Sequence, residues 1–204
     1  MPVHVLVSLT PNDPSVLPGL IHIVSELQEK SRSEDGCQFY TATSFTVEAT
    51  RVFRIIEHWD SLAALEAHEK TGHFLSLVPQ LVALSNIGYL RKSVSLSADV
   101  VPVAPSTKDD IYLVVYVHVS DREAFCLYAD ELTAASRREE GCLYYSHSPL
   151  DEETENGSNW VFVEKWMSSA ALEIHRGSEH SQRLIPLLDS VSTVKLVEES
   201  REGL

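Results

Sequence analysis

Basic residues are scarce in this chain of 204 residues. Sixteen Lys and Arg stand against 30 Asp and Glu, a formal net charge of −14. That balance excludes nucleic acid and an anionic membrane surface as expected partners. Cysteine is scarcer still. Cys37, Cys126 and Cys142 are too few and too scattered for a disulfide framework or a zinc knuckle, so a reducing, cytoplasmic setting is expected. No apolar run reaches the roughly 18 residues of a membrane span. The opening "MPVHVLVSLT" has neither a basic region nor a small-residue cleavage site, and reads as a first strand rather than a signal peptide. There is no glycine-rich nucleotide loop and no Gly-x-Ser-x-Gly elbow. Much of the acidity sits in solvated runs such as Asp151 to Glu155.

What the chain does have is a repeat. "SRSEDGCQFY" (Ser31 to Tyr40) returns as "SRREEGCLYY" (Ser136 to Tyr145), and "EHWDSLAALEAHEKTGHF" (Glu57 to Phe74) returns as "EKWMSSAALEIHRGSEHS" (Glu164 to Ser181). Glu, Trp, two alanines and two histidines recur in register. A period of about 100 residues indicates a duplicated domain rather than a solenoid. The expected units are residues 1–98 and 108–204, with 99–107, which carries two prolines, as the linker.

Both halves read alike. A short β-branched run opens each, Val3 to Leu9 and Ile111 to Val119, and predicts a strand. Ser15 to Lys30 and Asp121 to Ser136 predict helices, with Gly36 and Gly141 placed like C-terminal caps. Two strands follow as a hairpin, then the alanine-rich helix, a second short helix and a last strand. The order β-α-β-β-α-α-β is the ferredoxin-like plan of the α+β class. The strand Val52 to Trp59 is apolar on both faces, so both faces are expected to be buried. The simplest solution packs the two units sheet to sheet, an intramolecular α+β barrel in which a monomeric chain is a pseudo-dimer; further self-association is left open.

On a helical wheel starting at Leu62, His68 falls near 240°, inside an apolar arc with Ala64, Leu65 and Ala67. His175 takes the same place among Ala171, Leu172 and Ile174. Glu57 and Trp59 share one strand face, as do Glu164 and Trp166. A carboxylate on an apolar face needs a partner or a raised pKa, and His68 is the candidate partner for Glu57. A Glu–His pair in an apolar pocket has the makings of a proton acceptor, or of a structural hydrogen bond. His68 and His73 are five apart, about 140° around a helix, which suits a one-helix metal site poorly. Gly72 offers a break between them, but no third ligand stands out, and no metal is expected. Cys37 and Cys142 at strand starts read as inert.

Gly-Cys-x-x-Tyr (Gly36 to Tyr40, Gly141 to Tyr145), then Glu-x-Trp, then Ala-Leu-Glu-x-His, then His, resembles the antibiotic biosynthesis monooxygenase domain of the dimeric α+β barrel superfamily. The phrase from Glu57 to Phe74 is especially similar to small quinol monooxygenases. The resemblance spans both halves and implies a tandem copy of a family that otherwise forms its barrel as a homodimer. It implies cofactor-independent oxidation of a small electron-rich aromatic, a quinol or phenol, by molecular oxygen. His68 and His175 would be the bases or orienting groups, tuned by Glu57 and Glu164. Tyr40 and Tyr145 would hydrogen-bond substrate, Trp59 and Trp166 would form an aromatic wall, and His73 and His180 would complete the substrate-binding set. Haem-degrading relatives carry an iron-ligating histidine in the short helix, where this chain has Val78 and Ile185, a departure that argues against haem degradation. The competing reading is a non-catalytic barrel that binds a small ligand or regulates.

Overall fold

The computed structural model describes residues 2–47, 49–94, 107, 109–150 and 157–202. The expected linker, apart from Thr107, and the acidic run Asp151 to Glu155 lie outside the described residues. The chain divides into two compact units, one ending at Val94 and the other reaching Glu202. Each is an α+β, ferredoxin-like unit.

The first unit runs β1 (Val3–Pro11), α1 (Leu17–Ser31), β2 (Cys37–Val47), β3 (Thr50–Trp59), α2 (Leu62–His68), α3 (Gly72–Leu84) and β4 (Ser85–Val94). Its strands lie antiparallel in the order β4-β1-β3-β2. The second runs β5 (Ile111–Val119), α4 (Arg122–Ser136), β6 (Cys142–Pro149), β7 (Ser158–Trp166), α5 (Ser169–Gly177), α6 (Glu179–Val191) and β8 (Ser192–Glu202). Its order is β8-β5-β7-β6, again antiparallel. No described helix is long and apolar enough to cross a membrane.

Each sheet packs one face on its own helices. In the first unit, Val5, Val7, Leu9, Phe53, Ile55 and Trp59 meet Leu20, Val24 and Leu27 of α1 and Leu77 and Leu81 of α3. In the second, Leu113, Trp160, Phe162 and Trp166 meet Phe125, Leu132, Leu184 and Leu188. The side chains of β3 are buried on both faces from Phe53 to Trp59. Alternation therefore breaks down where the sequence showed an apolar run.

Two expectations need correction. Gly36 and Gly141 do not cap helices: α1 ends at Ser31 with Arg32 as its cap, and α4 ends at Ser136 with Arg137. The glycines lie five residues beyond, where the turn into β2 or β6 presses on the alanine-rich helix. A Cβ on Gly36 would lie 2.5 Å from the Cβ of Ala64, and one on Gly141 would lie 2.3 Å from that of Ala171. Gly36 also has a φ of +82°, which only glycine adopts readily. Ile174, assigned to the apolar arc, is 71% exposed, because α5 buries only Ala171, Leu172 and His175. The buried stripe of a nine-residue helix is narrower than the arc drawn on the wheel.

Candidate functional site

The sheet registers align the polar residues of each unit in one row. Tyr40 lies opposite Glu57, Glu57 opposite Val5, and Val5 opposite Lys92. The matching row in the second unit is Tyr145, Glu164, Leu113 and Glu199. Breaks in the pairing between Cys37 and Phe39, and between Cys142 and Tyr144, precede each tyrosine. Over each row lies a cavity between the sheet and the unit's own helices. Tyr40, Glu57 and His68 line the first, about 90 Å³ in volume. Tyr145, Glu164 and His175 line the second, about 230 Å³. The remaining lining is largely apolar and includes Val78 in the first and Ile185 in the second.

The histidines do not pair with the glutamates proposed for them. Glu57 accepts a hydrogen bond from Trp59 Nε1 at 2.8 Å, and Glu164 accepts one from Trp166 Nε1 at 2.8 Å. His68 Nδ1 instead lies 2.7 Å from Glu34 Oε1, and His175 Nδ1 lies 2.7 Å from Glu139 Oε1. The glutamates Glu34 and Glu139 were missed as site residues. They stand in the turns after α1 and α4, in matched places of the two repeats. The turn is fixed by the Arg32 guanidinium, whose Nε donates to the Tyr40 carbonyl at 2.7 Å, and in the second unit by Arg137 Nε to Tyr145 at 2.8 Å. The close approach of Gly36 to Ala64 sets the same turn against α2, which carries the carboxylate to the histidine.

The second histidine of each pair joins the same carboxylate oxygen. His73 Nε2 lies 2.9 Å from Glu34 Oε1, and His180 Nε2 lies 2.7 Å from Glu139 Oε1. Residues five apart converge because the helix breaks between them. His68 is the last residue of α2, Thr71 caps α3 through Phe74 N, and His73 is the second residue of α3. Ser178 plays the same part for α6. The third group that the histidine pair lacked in sequence is therefore present in space.

His73 and His180 do not line the cavities, nor do Trp59 and Trp166. Each tryptophan is fully buried and lies against the imidazole, Trp59 on His68 at 4.6 Å between ring centroids and Trp166 on His175 at 4.4 Å. The indoles hold the ring on one side and orient a glutamate through Nε1. Phe74 packs edge-on against His68 at 4.9 Å. Ser181 takes its place in the second unit, with Oγ 3.5 Å from His175 Nε2.

Burial dominates the electrostatics. It raises Glu57 and Glu164 to about 7, with the Trp59 and Trp166 N–H groups opposing it. It lowers His68 and His175 below the usual imidazole value, against the upward pull of Glu34 and Glu139. Desolvation disfavours the charged form of both residue types, so it moves acid and base in opposite directions. Tyr40 and Tyr145 are held well above the usual phenol value, first by burial. Cys37 and Cys142 are pushed up to about 12 and remain thiols. His68 Nε2 is buried and meets no hydrogen-bond partner among the described residues.

Each unit is thus a ferredoxin-like fold that holds a carboxylate-oriented imidazole at an apolar cavity. The family model for antibiotic biosynthesis monooxygenase matches the chain twice, at residues 2–80 and 112–186. The chain belongs to that family, in tandem duplication. No curated protein matches it. Its fold is similar to that of a proposed monooxygenase from Lactobacillus acidophilus, 16% identical with a TM-score of 0.76, covering 99% of this chain and 93% of that one. A proposed monooxygenase from Fusobacterium nucleatum is 13% identical with a TM-score of 0.75, covering 99% and 91%. An anthrone oxidase-like protein is 15% identical with a TM-score of 0.55, covering 98% and 90%.

Proposed function

We propose that the chain is a cofactor-independent monooxygenase of a small electron-rich phenol or quinol, with His68 and His175 as proton acceptors. The observation that carries this reading is the wiring of the buried imidazole. Its Nδ1 is engaged by Glu34 or Glu139 on a side that does not reach the cavity, and the ring lines the cavity beside a tyrosine and a glutamate. A carboxylate that accepts the Nδ1 proton fixes the tautomer and leaves the Nε2 lone pair to act. The roles differ from those expected from sequence: Glu34 and Glu139 orient the base, while Glu57 and Glu164 face the substrate space.

The chemistry needs little more. Nε2 takes a proton from the substrate, leaving an electron-rich anion. The anion passes one electron to molecular oxygen, and the radical pair closes a C–O bond to give a peroxide. The imidazolium returns its proton to the distal oxygen, and loss of water leaves a carbonyl. One phenolic O–H, one ring C–H and one O₂ become two C=O groups and one H₂O, with no external reductant. Glu57 and Glu164, raised to about 7, exchange protons near neutrality, and Tyr40 and Tyr145 donate to substrate oxygen.

Oxygen consumption by metal-free protein against a panel of quinols and phenols tests this. Replacing both histidines by alanine should lower turnover by roughly 10²-fold or more with the fold retained by circular dichroism. Unchanged oxidation in the double variant removes these histidines from the mechanism.

A further inference from the structure

We propose that Glu34, His68 and His73, and again Glu139, His175 and His180, form two divalent-cation sites of the two-imidazole, one-carboxylate class suited to zinc or cobalt(II). In each unit the three donor atoms come from three places in the chain: the turn after the long helix, the end of the alanine-rich helix and the first turn of the next. They lie within 4.8 Å of one another. Both ring nitrogens approach a single oxygen, at 2.7 and 2.9 Å in the first unit and at 2.7 Å twice in the second. Those are hydrogen-bond distances. Metal–ligand bonds of about 2.0–2.1 Å in a tetrahedron set the donors about 3.3 Å apart, so an ion requires each contact to open by about half an ångström. The carboxylate and the second histidine can move by that much, because Glu34 is 17% exposed, His73 14%, Glu139 15% and His180 21%. The same exposure gives an ion its entry and leaves room for water as a further ligand. A hydroxyl also stands beside the second imidazole, Thr71 Oγ1 at 3.4 Å and Ser178 Oγ at 3.1 Å.

A carboxylate that merely collects two N–H donors explains the contacts equally well in one unit. The comparison of the two units argues for more. Several neighbours of the triads change between the units: Phe74 becomes Ser181, Glu69 becomes Arg176 and Lys92 becomes Glu199. Through those changes the three donors stay the same in kind and in geometry, as do the tryptophan on the first imidazole and the arginine that fixes the turn. Neither Glu34 nor His73 lines the first cavity, and neither Glu139 nor His180 lines the second. The cation is therefore not a cofactor that meets substrate. Its consequence rests on the reading of His68 and His175 as bases. An imidazole ligated through Nδ1 carries its remaining proton on Nε2, so occupancy converts the acceptor into a donor and switches oxidation off.

Cobalt(II) titrated into metal-free protein, followed by its visible absorption and by equilibrium dialysis, tests the site directly. The expected stoichiometry is two per chain, one in H73A and in H180A, and none in the double variant. If those variants do not fold, the imidazole nitrogen resonances of the wild-type protein decide. A zinc-induced shift confined to the ring nitrogens of His68, His73, His175 and His180, with Nε2 of His68 and His175 moving to the protonated position, supports the sites. No binding, binding that survives in the double variant, or unshifted resonances overturns them. Binding without oxidation of any quinol would remove the base reading and leave the sites standing; oxidation that zinc at saturating concentration does not slow, in protein that binds it, would remove the switch.

Discussion

Glu57 and Glu164 are the residues on which pH acts most directly. Burial raises both to about 7 from 4.5. Between those values the folded chain keeps a proton that the unfolded chain has released, so stability falls as pH rises through the window and levels off above 7. Each glutamate accounts for up to about 3 kcal/mol of that fall. E57Q and E164Q keep an oxygen for the indole N–H and cannot ionise. Both should match wild type near pH 4.5 and exceed it at pH 8 in urea unfolding; a parallel pH dependence in variant and wild type would show that the carboxyls are not the source.

At the scale of elements, the contact between glycine turn and alanine helix positions the carboxylate, and it can be taken apart. G141A should cost about 1–3 kcal/mol through overpacking against Ala171. G141A/A171G should recover most of that loss in thermal unfolding, because Gly141 has no left-handed backbone to strain. G36A/A64G should recover less, since Gly36 sits at a φ of +82°. Equal rescue in the two units would refute the distinction. The elements themselves were legible in the sequence: every strand run and the long helices appear within a few residues of their expected bounds, because period and β-branching report on local backbone. The repeat placed His68 and Glu57 on buried faces. It could not show that Glu34, 34 residues from His68, is the partner, because that pairing depends on how closely one turn approaches one helix. The glycine and the alanine that permit the approach were both visible, but as a cap and as helix formers.

Taken whole, the molecule carries two versions of one site that are not equal. The first cavity is less than half the volume of the second, and Phe74, which lines it and meets the His68 ring, has Ser181 as its counterpart. A bicyclic phenol should therefore bind wild type with one strong site per chain by calorimetry, and F74S should add a second; two equal sites in wild type would contradict this. The mouths differ as well. Glu69 pairs with Lys92 in the first unit, while in the second Arg176 Nη2 lies 3.8 Å from Glu199 with the charges exchanged. Exposed pairs of this kind add little stability, but their exchange leaves a historical mark. To turn a Glu–Lys pair into an Arg–Glu pair one residue at a time, a lineage must pass through a stage in which the two positions are unpaired or carry like charges. Where one gene encodes both halves of a symmetric pair, that fault falls on both sites in the same generation. A tandem chain confines it to one site while the other keeps working, so duplication opened a route of change that a symmetric ancestor could take only at twice the loss.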